Sequence, residues 1–530
     1  MKVLITDPIT ESGLKIIKNY GLEIVYMPEA SESEKYKAAN NVDGWIIRSG
    51  TKINKDAIIS SKNLKVIGRA GVGVDNIDIP EATRRGIVVL NTPDVNTISA
   101  AEHTIGLILA ISRNIHLGHQ GLQKGEWNRN ILIGSELQNK TIGIVGLGKI
   151  GREVISRCIV FGMKILGYDP FVNQEMFDEN KTIITDLNSL VKNSDYISVH
   201  VPLNAETKNL FNYDLLSLMK SSAYIINVAR GGIINENDLA KILNKNKIAG
   251  AAIDVFSSEP IDNSNSLIKA KNILLTPHLG ASTKEAKEGV SIAVCDHVSN
   301  YLINKKLMNA INMPISDMSK LQELQPFLDL SELIGDIQNQ LLLSNPAKKV
   351  VIECQGKIEE MKPILLAYLQ GLLKPYVPER INYINAELIA KELGLEVSIN
   401  YSNTKTNYNN LISISVFTDS NIYRIDGSVF DDMRPRLVNI MGYDMELLPK
   451  GRMLFLENID VPGVIGRVGT ILGSLNINIA AYLLNRKKNN EFAYSVIKID
   501  NRLDETGLLL LSEIPEILNI KQIKVLVNNN

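Results

Sequence analysis

The first hundred residues alternate short apolar runs with amphipathic stretches of helical period. The apolar runs have the length and composition of β-strands and are KVLITD, LEIVYM, GWIIRSG, KVIGRAG and GIVVLN. Strands that alternate with helical segments are typical of βα units, in which consecutive strands run parallel. The pattern therefore predicts an α/β fold with a doubly wound parallel sheet in this region.

A second series of the same kind begins near Thr141. Its predicted strands are TIGIVGLG, KILGYD, YISVHVP, YIINVAR, IAGAAID and NILLTPH, with helical stretches between them. This pattern predicts a second doubly wound parallel sheet, whose first turn is rich in glycine. Such sheets bind ligands in the crevice at the carboxyl ends of their strands, so chemistry is sought there.

The pattern changes after about Met313. The next segment, to Glu446, contains predicted helices (PFLDLSELIGDIQNQLL and INAELIAKEL) and strands (KKVVIECQGKI and LISISVFTD), but no His, Asp, Glu or Cys at catalytic spacing. We interpret it as a structural or regulatory α+β domain. The last part of the chain reads strand, helix, strand, strand, helix, strand, which is a ferredoxin-like order.

Three or four domains are expected, because hydrophobic cores stop growing at roughly 250 to 300 residues and longer chains divide. The chain has 530 residues. The predicted domains are a substrate-binding domain, a Rossmann nucleotide-binding domain, an intervening domain and a terminal domain. Their predicted bounds are 1–98 with 287–314, 99–286, 315–446 and 452–530.

Composition restricts the class of partner. A formal charge of -1, with 45% apolar and 22% charged residues, gives no basic field for nucleic acid. The N-terminus lacks the apolar core of a signal peptide, and no run reaches the ~20 apolar residues that span a bilayer. We therefore expect a cytoplasmic protein without a membrane partner. The three cysteines are widely spaced and predict neither a disulfide framework nor a metal site.

The segment TIGIVGLGKIGREV carries the spacing GxGxxG between an apolar strand and a helix. Gly146 permits the tight turn, Gly148 lets a pyrophosphate approach the backbone, and Gly151 allows close packing of helix on strand. The next strand ends in Asp169, where a carboxylate would bind a ribose 2′-hydroxyl and repel a 2′-phosphate. The motif therefore predicts a dinucleotide site that prefers NAD to NADP.

Arg230 and His278 stand at predicted strand ends and, with Glu259, suit hydride transfer to a 2-oxo acid. That reaction needs a cation for the carboxylate and carbonyl, and an acid for the developing alkoxide. Arg230 follows YIINVA and precedes two glycines, and His278 lies in TPHLGAST. Glu259, in DVFSSEP, is a candidate partner for His278. Taken alone, each also has an ordinary interpretation, as a surface arginine, a structural histidine and a solvated loop carboxylate.

The motifs GLGKIG, YDP, VHVPLNAETKNLFN, NVARGGIINENDL, DVFSSEP and TPHLGAST together resemble the D-isomer-specific 2-hydroxyacid dehydrogenases over residues 1 to about 310. In that family the Arg, Glu and His of the last three motifs form the catalytic triad. The resemblance therefore implies catalytic roles for Arg230, Glu259 and His278.

The resemblance also implies which residues line the NAD site, several of them through the backbone. Asp254 is expected to face the nicotinamide amide. Besides the three glycines, the residues carried over from the family motifs are Lys149, Ile150, Asp169, Val201, Pro202, Val228, Ala229, Asp254, Gly280 and Ala281.

Within the family, the segments IRSGTKI and GRAGVGVDNIDIPEATRRGIVVLNTPDVNTISAAEHT are similar to the long members that oxidise D-3-phosphoglycerate to 3-phosphooxypyruvate. That substrate needs an anion site for its phosphate. Arg48 offers a bidentate donor and Ser49 a hydroxyl, while Asn96 is expected to bind the carboxylate end. The long members carry an intervening domain of the allosteric substrate-binding type and a terminal ACT domain.

The terminal segment ENIDVPGVIGRVGTILGSLNINIA resembles an ACT module. ACT modules commonly bind amino acids between copies, which makes L-serine a possible effector. The serine contacts of regulated relatives correspond to Asn458 and Asn478. Leu456 departs from the pattern, because some of these relatives carry a histidine there.

Other interpretations remain open at this point. A hydroxypyruvate or glyoxylate reductase shares the catalytic half but usually ends after the second sheet. A second alternative is a non-catalytic protein that senses NAD. A third is an amino-acid sensor that acts through the terminal domain. The resemblance implies a homo-oligomer, because dehydrogenases of this family pair through the nucleotide-binding domain, and the apolar segment HTIGLILAISRNI suits that contact. A second contact through the terminal domains would give a tetramer.

Overall fold

A computed structural model of the chain describes residues 1–93, 95–178, 181–315, 321–342, 345–356, 358, 360–377, 380–403, 407–486 and 491–525. Within these residues the strands form four sheets, of five, seven, six and four strands. The end of the predicted terminal domain, 526–530, lies outside the described residues. No helix in the described part of the chain is both long and apolar enough to cross a membrane.

The first sheet is fully parallel, with the strand order β2-β1-β3-β4-β5. Its central strand β3 is buried at every position, as expected of a parallel sheet covered by helices on both faces. The elements are β1 (Lys2–Ile5), α1 (Glu11–Asn19), β2 (Glu23–Tyr26), α2 (Glu32–Ala39), β3 (Gly44–Ile47), α3 (Lys55–Ser60), β4 (Val66–Arg69), α4 (Ile79–Arg84) and β5 (Val88–Leu90).

The second sheet is also fully parallel, with the order β12-β11-β10-β9-β6-β7-β8. Its elements are α5 (Thr97–Ser112), α6 (Ile115–Gln123), β6 (Thr141–Val145), α7 (Lys149–Val160), β7 (Lys164–Tyr168), a 3-10 turn (Gln174–Met176), β8 (Thr182–Ile184), α8 (Leu187–Asn193), β9 (Tyr196–Val199), α9 (Tyr213–Ser217), β10 (Tyr224–Asn227), α10 (Glu236–Asn244), β11 (Gly250–Ile253) and β12 (Ile273–Leu275). The strand order reverses between β6 and β9, which places the switch point beside the glycine-rich turn.

These two sheets confirm the predicted α/β class, and every strand predicted in this half of the chain is present. The sequence pattern missed only β8, which has three residues and lies at the edge of the second sheet. Short edge strands bury few side chains, so their apolar pattern is weak.

Two helices carry the chain between the first two sheets. Helix α5 follows β5 of the first sheet and packs on the second, whereas α11 (Lys284–Asn304) follows β12 and packs back on the first. A Cβ added at Gly68 would lie 2.4 Å from Val298, so α11 contacts β4 closely.

The structure shows where the apolar side chains of α5 lie. Ile105, Leu107, Ile108 and Ile111 are all buried in the core of the nucleotide-binding sheet. These four side chains are used within the chain. Ile115, the last residue of the predicted segment, is exposed, as are further apolar side chains beyond it, and pairing of two copies through this segment stays a prediction.

The third sheet is mixed and has the order β14-β13-β15-β16-β17-β18. Its elements are α12 (Leu321–Leu342), β13 (Lys349–Gly356), α13 (Met361–Leu373), α14 (Ala386–Glu392), β14 (Glu396–Tyr401), β15 (Asn410–Phe417), β16 (Ile422–Val429), β17 (Pro435–Ile440) and β18 (Tyr443–Leu447). Gly335 and Gly371 let α12 and α13 cross closely, since an added Cβ at Gly371 would lie 2.0 Å from the Glu332 carbonyl.

The fourth sheet has the order β20-β21-β19-β22 and the predicted ferredoxin-like topology. Its elements are β19 (Gly451–Ile459), α15 (Val464–Ser474), β20 (Ile479–Arg486), β21 (Phe492–Ile499), α16 (Glu505–Ser512) and β22 (Ile517–Val525). Met453, Phe455, Tyr494 and Ile523 belong to the same hydrophobic core as the third sheet and its helices. The two C-terminal units therefore pack as one body.

The third unit also contacts the first sheet. The Asn382 amide donates to the Gly86 carbonyl at 2.7 Å, and the Asn385 amide donates to the Arg84 carbonyl at 3.2 Å. Ile384, between them, is buried in the core of the first sheet. The C-terminal body is thereby attached to the domain predicted to bind substrate.

Candidate active site

The carboxyl ends of the first two sheets face a common cleft. Arg230, which follows β10, pairs with Asp75, which follows β4, at 3.4 Å between Nε and Oδ2. An added Cβ at Gly73 would lie 2.3 Å from Nη2 of Arg230, so the turn after β4 presses against this arginine. The residues singled out in the two halves of the sequence thus meet across one crevice.

The glycine-rich turn between β6 and α7 has the geometry that its spacing predicts. Gly146 has a φ of +98°, and an added Cβ would lie 2.6 Å from the His200 carbonyl. At Gly151 an added Cβ would lie 2.1 Å from the Gly146 carbonyl, which explains the need for glycine at this close approach. A Cβ at Gly148 would meet none of the described residues within 4 Å, so the backbone before α7 is open to a ligand.

Asp169 lies one residue beyond β7 and reaches back over this turn. Its Oδ2 accepts a hydrogen bond from the Leu147 N–H at 2.9 Å, and its Oδ1 accepts from the Phe171 N–H at 3.0 Å. The carboxylate therefore stands beside the glycine-rich turn, where a ribose attached to a bound pyrophosphate would lie.

The other residues predicted to contact the dinucleotide line the same edge. Val201 and Pro202 follow β9, Val228 and Ala229 follow β10, and Gly280 and Ala281 lie beyond β12, while Lys149 and Ile150 begin α7. Gly280 touches Val228, because an added Cβ would come within 2.9 Å of its side chain. The predicted residues are therefore brought together, and their contact with NAD stays a prediction.

His278 and Glu259 form a close pair. Nδ1 of His278 lies 2.6 Å from Oε2 of Glu259, whose other oxygen accepts from the Phe256 N–H at 3.0 Å. Burial would raise the pKa of Glu259, but these two hydrogen bonds outweigh it and lower that pKa. Because a carboxylate can only accept, Nδ1 of His278 carries the proton of this hydrogen bond, and Nε2 lies on the other side of the ring.

Asp254 is fully buried at the end of β11 and does not project openly into the cleft. Its Oδ1 accepts from the Leu279 N–H at 2.8 Å and its Oδ2 from the Gly280 N–H at 2.9 Å. The carboxylate thus supports the turn that carries His278. The predicted contact with the nicotinamide amide is not tested by this arrangement.

Arg230 is held by its own turn. Its Nη1 donates to the Ala229 carbonyl at 2.6 Å, and the Asn227 amide donates to the Arg230 carbonyl at 2.9 Å. Gly231 packs against the loop of Glu259, since an added Cβ would lie 1.9 Å from the Phe256 carbonyl. The Arg230 turn and the His278–Glu259 pair are therefore parts of one site.

Arg48 lies directly after β3, and its turn is buttressed from two sides. Asp7, which is buried, accepts from the backbone N–H groups of Arg48 and Thr51 at 2.5 and 3.1 Å. The Asn76 amide donates to the Arg48 carbonyl at 2.7 Å. Ser49 is exposed beside it. The Asp7 carboxylate thus holds backbone groups, while Nη1 of the Arg48 guanidinium donates to the Pro8 carbonyl at 3.5 Å.

A further arginine, Arg69, was not singled out by the sequence analysis. It ends β4 and is half-buried, and its Nε is enclosed without a hydrogen-bond partner among the described residues. Burial and the nearby charge of Arg230 lower the pKa of Arg69 to about 10, against the opposing effect of Asp75. Arg48 adds to the repulsion and Asp7 opposes it, so three arginines face two carboxylates where the first two sheets meet.

A sequence signal for Arg69 did exist. It stands at the end of a predicted strand, as Arg48 does, and the turn after it reads AGVGVD. Gly71 has a φ of +142°, and an added Cβ there would lie 1.7 Å from Nη1 of Arg69. This glycine leaves the space that the guanidinium occupies.

The remaining predicted contacts are more scattered. Asn96 is the N-cap residue of α5, and its Oδ1 is buried with no partner in the described part of the chain. Asn458 and Asn478 lie at opposite ends of the fourth sheet, because Asn458 pairs with Ala493 and Ile479 with Ile499 on the same strand β21. One chain alone does not bring these two asparagines together.

The described residues hold no group of three or more His, Cys, Asp or Glu side chains that could bind a metal ion. The three cysteines are unpaired and buried, and burial raises the pKa of each thiol to about 12. Thiol chemistry is therefore not offered by this part of the chain.

Comparison with protein families gives two matches. Residues 105–280 match the NAD binding domain of the D-isomer specific 2-hydroxyacid dehydrogenases, and residues 323–441 match the D-3-phosphoglycerate dehydrogenase intervening domain. Among curated relatives, the D-3-phosphoglycerate dehydrogenase of Methanocaldococcus jannaschii is 38% identical over 99% of each chain. That of Bacillus subtilis is 36% identical over 98% of this chain and 99% of its own.

Solved structures match part of the chain. A protein from Thermus thermophilus is 30% identical with a TM-score of 0.55, covering 59% of this chain and 100% of its own. An NAD-dependent formate dehydrogenase from Staphylococcus aureus, in complex with NAD, is 30% identical with a TM-score of 0.53, covering 60% and 98%.

Proposed function

The chain belongs to the D-3-phosphoglycerate dehydrogenases of the D-isomer-specific 2-hydroxyacid dehydrogenase family, and we propose that its cleft oxidises D-3-phosphoglycerate to 3-phosphooxypyruvate with NAD. This reaction is the first step of the phosphorylated route to L-serine. The observation that carries the assignment to this cleft is the placement of three arginines: Arg230 meets the turn of Gly73, Arg69 lies against Gly71 of the same turn, and Arg48 follows the neighbouring strand. They share the cleft with the His278–Glu259 pair.

The residues at the second sheet suit NAD. The open backbone at Gly148 and the N-terminus of α7 offer N–H groups to a pyrophosphate, and Asp169 stands where a ribose hydroxyl would donate. When bound, NAD supplies the hydride acceptor. The acidic side chain at position 169 supports NAD over NADP, because a 2′-phosphate would be repelled.

His278 is proposed as the base of the oxidation. Its Nδ1–H is donated to Glu259, so Nε2 accepts the proton of the substrate C2 hydroxyl as the hydride leaves C2. The imidazolium that forms is stabilised by the Glu259 carboxylate, whose lowered pKa keeps it ionised at neutral pH. In the reverse direction His278 returns this proton to the alkoxide oxygen.

The arginines divide the substrate between them. Arg230 lies nearest to the catalytic pair and is proposed to hold the carboxylate and the C2 oxygen, with Asn96 at the carboxylate end. Arg48 with Ser49, and Arg69 beside them, are proposed to bind the phosphate, which adds about −1.5 to −2 charges at neutral pH. An anion of this charge relieves the mutual repulsion of the arginines.

The direct test follows NADH absorbance with D-3-phosphoglycerate and NAD, and separately with hydroxypyruvate or glyoxylate and NADH. Oxidation of phosphoglycerate at a much higher kcat/KM than the unphosphorylated compounds allow would support the assignment. Turnover of hydroxypyruvate or glyoxylate alone would leave the fold and the triad, and would favour a reductase. NADH binding without turnover of any of them would favour a sensor.

A homo-oligomer is proposed from the segment after α5. Trp127, Ile131 and Ile133 are 80, 76 and 82% exposed, and Ile115 and Leu122 on α6 are also exposed. A large exposed apolar patch is typical of a subunit contact. We expect a dimer through this surface and a tetramer through a second contact of the terminal domains. Light scattering on Trp127→Ser should show smaller particles than the unmodified protein.

Regulation by L-serine is proposed only between copies. Asn478 donates to Asp500 at 2.8 Å, and Asn458 is buried with an Oδ1 that has no partner among the residues described. Because the two asparagines lie at opposite ends of one sheet, a ligand would have to bridge two terminal domains to meet both. A higher serine inhibition constant in Asn478→Ala would support this site, whereas no effect of serine on the unmodified enzyme would remove it. A cytoplasmic location stays a prediction.

A further inference from the structure

His103 lies on α5 and reaches the turn that carries His278, although no catalytic motif contains it. Its Nε2 is 3.2 Å from Oδ1 of Asp254 and 3.3 Å from Oγ1 of Thr276. Asp254 is fully buried, and His103 is half-buried on the helix that covers it. A polar side chain from another element therefore completes the environment of a buried carboxylate next to the catalytic residue.

The hydrogen bonds fix the direction of donation. Oγ1 of Thr276 lies 2.6 Å from Oδ1 of Asp254, and its single proton is used there because the carboxylate can only accept. Towards His103, both Thr276 and Asp254 are then acceptors. Nε2 of His103 must therefore carry a proton, and it donates to the two oxygens together.

Asp254 in turn organises three consecutive backbone N–H groups. Its carbonyl accepts from His278 at 2.9 Å, and its carboxylate accepts from Leu279 and Gly280 at 2.8 and 2.9 Å. His278 itself has a φ of +54°, which lies in the left-handed backbone region that residues other than glycine rarely adopt. The Asp254 side chain is thus part of what holds His278 in a strained backbone geometry.

The same helix contacts this loop a second time. Oγ of Ser99 lies 2.8 Å from Oγ1 of Thr283, which is the N-cap residue of α11. Helix α5 begins directly after Asn96, at the crossing from the first sheet to the second. The helix that starts at the predicted substrate contact is therefore connected to the catalytic turn at both His103 and Ser99.

We propose that His103 is a positioning residue for the oxidation: by donating Nε2–H to Asp254 and Thr276, it fixes the turn that orients His278 towards the C2 hydroxyl. It touches neither substrate nor cofactor in this role. The inference rests on the proposed function, because it concerns the step in which His278 accepts a proton.

The test compares two substitutions of His103 with one control. His103→Leu removes the donor and keeps an apolar side chain, whereas His103→Gln keeps an amide N–H near the position of Nε2. Glu102→Gln changes the exposed neighbour on the same helix. We expect kcat for phosphoglycerate oxidation to fall about ten-fold or more in His103→Leu, as for a lost hydrogen bond to a charged acceptor, and to recover largely in His103→Gln.

Two readouts separate positioning from a general loss of structure. With substrate deuterated at C2, the isotope effect on kcat should increase in His103→Leu, because the chemical step becomes more limiting. The dissociation constant of NADH, measured by fluorescence, should rise by a much smaller factor than kcat falls, since the glycine-rich turn is untouched and only Asp254 and Gly280 of the expected cofactor contacts adjoin His103. Equal losses in His103→Leu and His103→Gln, or an unchanged kcat in His103→Leu, would overturn the proposal.

A measurement without turnover tests the hydrogen bond itself. In protein labelled with [15N]histidine, nitrogen shifts assign the tautomer of each ring, and loss of one signal in His103→Gln identifies His103. The Nε2–H form is expected, and the Nδ1–H form would overturn the inference. An unmodified enzyme that fails to oxidise phosphoglycerate would instead contradict the proposed function and leave the tautomer result standing.

Discussion

The two sheet edges that face the cleft use different chemistry. At the edge of the second sheet, the turn at Gly146 and Gly148 offers backbone groups and open space. At the edge of the first sheet, Arg48 and Arg69 offer charged side chains; Asp7 holds the backbone N–H of Arg48, and Gly71 leaves the space that the Arg69 guanidinium occupies. The edge of the second sheet suits a ligand that is bound by backbone groups of the protein, and the edge of the first sheet suits a small polyanion.

The difference explains why the two edges differ in how readily they are recognised. A site built from backbone groups needs glycine at fixed positions, because a side chain at each position would clash with the protein or the ligand. This fixed spacing can be recognised in a sequence. A side-chain anion site needs only arginines that meet in space. The comparison also makes separate predictions for the two edges, in cofactor binding and in substrate binding.

The largest effect is expected at His278, which belongs to the second edge but acts on the substrate. His278→Gln removes the base at Nε2, and general acid–base catalysis contributes about 10²- to 10⁴-fold. We expect kcat to fall within that range while the NADH dissociation constant changes little. Stopped-flow rates and fluorescence titration provide the two values. If kcat and the affinity for NADH fell by similar factors, His278 would serve cofactor binding, and the proposed separation of cofactor and substrate functions would be wrong.

The next effect is expected at Arg69, which tests the first edge. Arg69→Leu should raise KM for phosphoglycerate about 100-fold, because it removes a charge-assisted contact to the phosphate, and such a contact contributes roughly 1.5 to 3 kcal/mol. KM for NAD should be unchanged, and the exposed Arg502→Leu serves as the control. If hydroxypyruvate, which has no phosphate, loses as much as phosphoglycerate, Arg69 does not read the phosphate.

Arg69 also marks how far sequence alone reaches. Both parallel sheets, the ferredoxin-like end and the positions of Gly146, Asp169, Arg230 and His278 at strand ends follow from local pattern and motif spacing. The convergence of Arg48, Arg69 and Arg230 does not follow from local pattern, because these arginines belong to three different strands of two sheets. Their proximity is a property of the topology, which a linear pattern does not contain.

The intervening domain was the least predictable part of the fold. The apolar pattern predicted two helices and two strands there, and the structure adds α13 and the strands β14, β16, β17 and β18. Strand β14 is a partly exposed edge strand, and β16 carries Arg424 and Asp426 on one face. Polar residues within a strand weaken the alternation on which recognition depends.

A smaller effect is expected from Glu259→Gln, which keeps the shape of the partner but removes its charge. We expect kcat to fall about ten-fold, because the imidazolium of His278 loses a charge-assisted hydrogen bond. NADH binding should again change little. A variant as slow as His278→Gln would mean that the carboxylate does more than stabilise the histidine.

The same variant carries a pH signature in stability. The pKa of Glu259 is lowered, since the hydrogen bonds from His278 and Phe256 outweigh the effect of burial. A carboxyl group with a lowered pKa stabilises the fold above its ordinary pKa of about 4.3, and this contribution is lost as the pH falls towards the lowered value. From about pH 5.5 down to about pH 3.5, the Tm of the unmodified protein should therefore fall more than that of Glu259→Gln. Parallel Tm curves would contradict the pairing.

The smallest effect is expected at the glycine-rich turn and compares two of its positions. Gly148→Ala should fold normally, because its φ is −70° and an added Cβ meets no described residue within 4 Å. NADH should bind several-fold more weakly, since the methyl group occupies space that a pyrophosphate approaches. Gly151→Ala places its Cβ 2.1 Å from the Gly146 carbonyl and should lower Tm as well. If Gly148→Ala instead weakens phosphoglycerate binding and spares NADH, the assignment of the dinucleotide to the backbone edge is wrong.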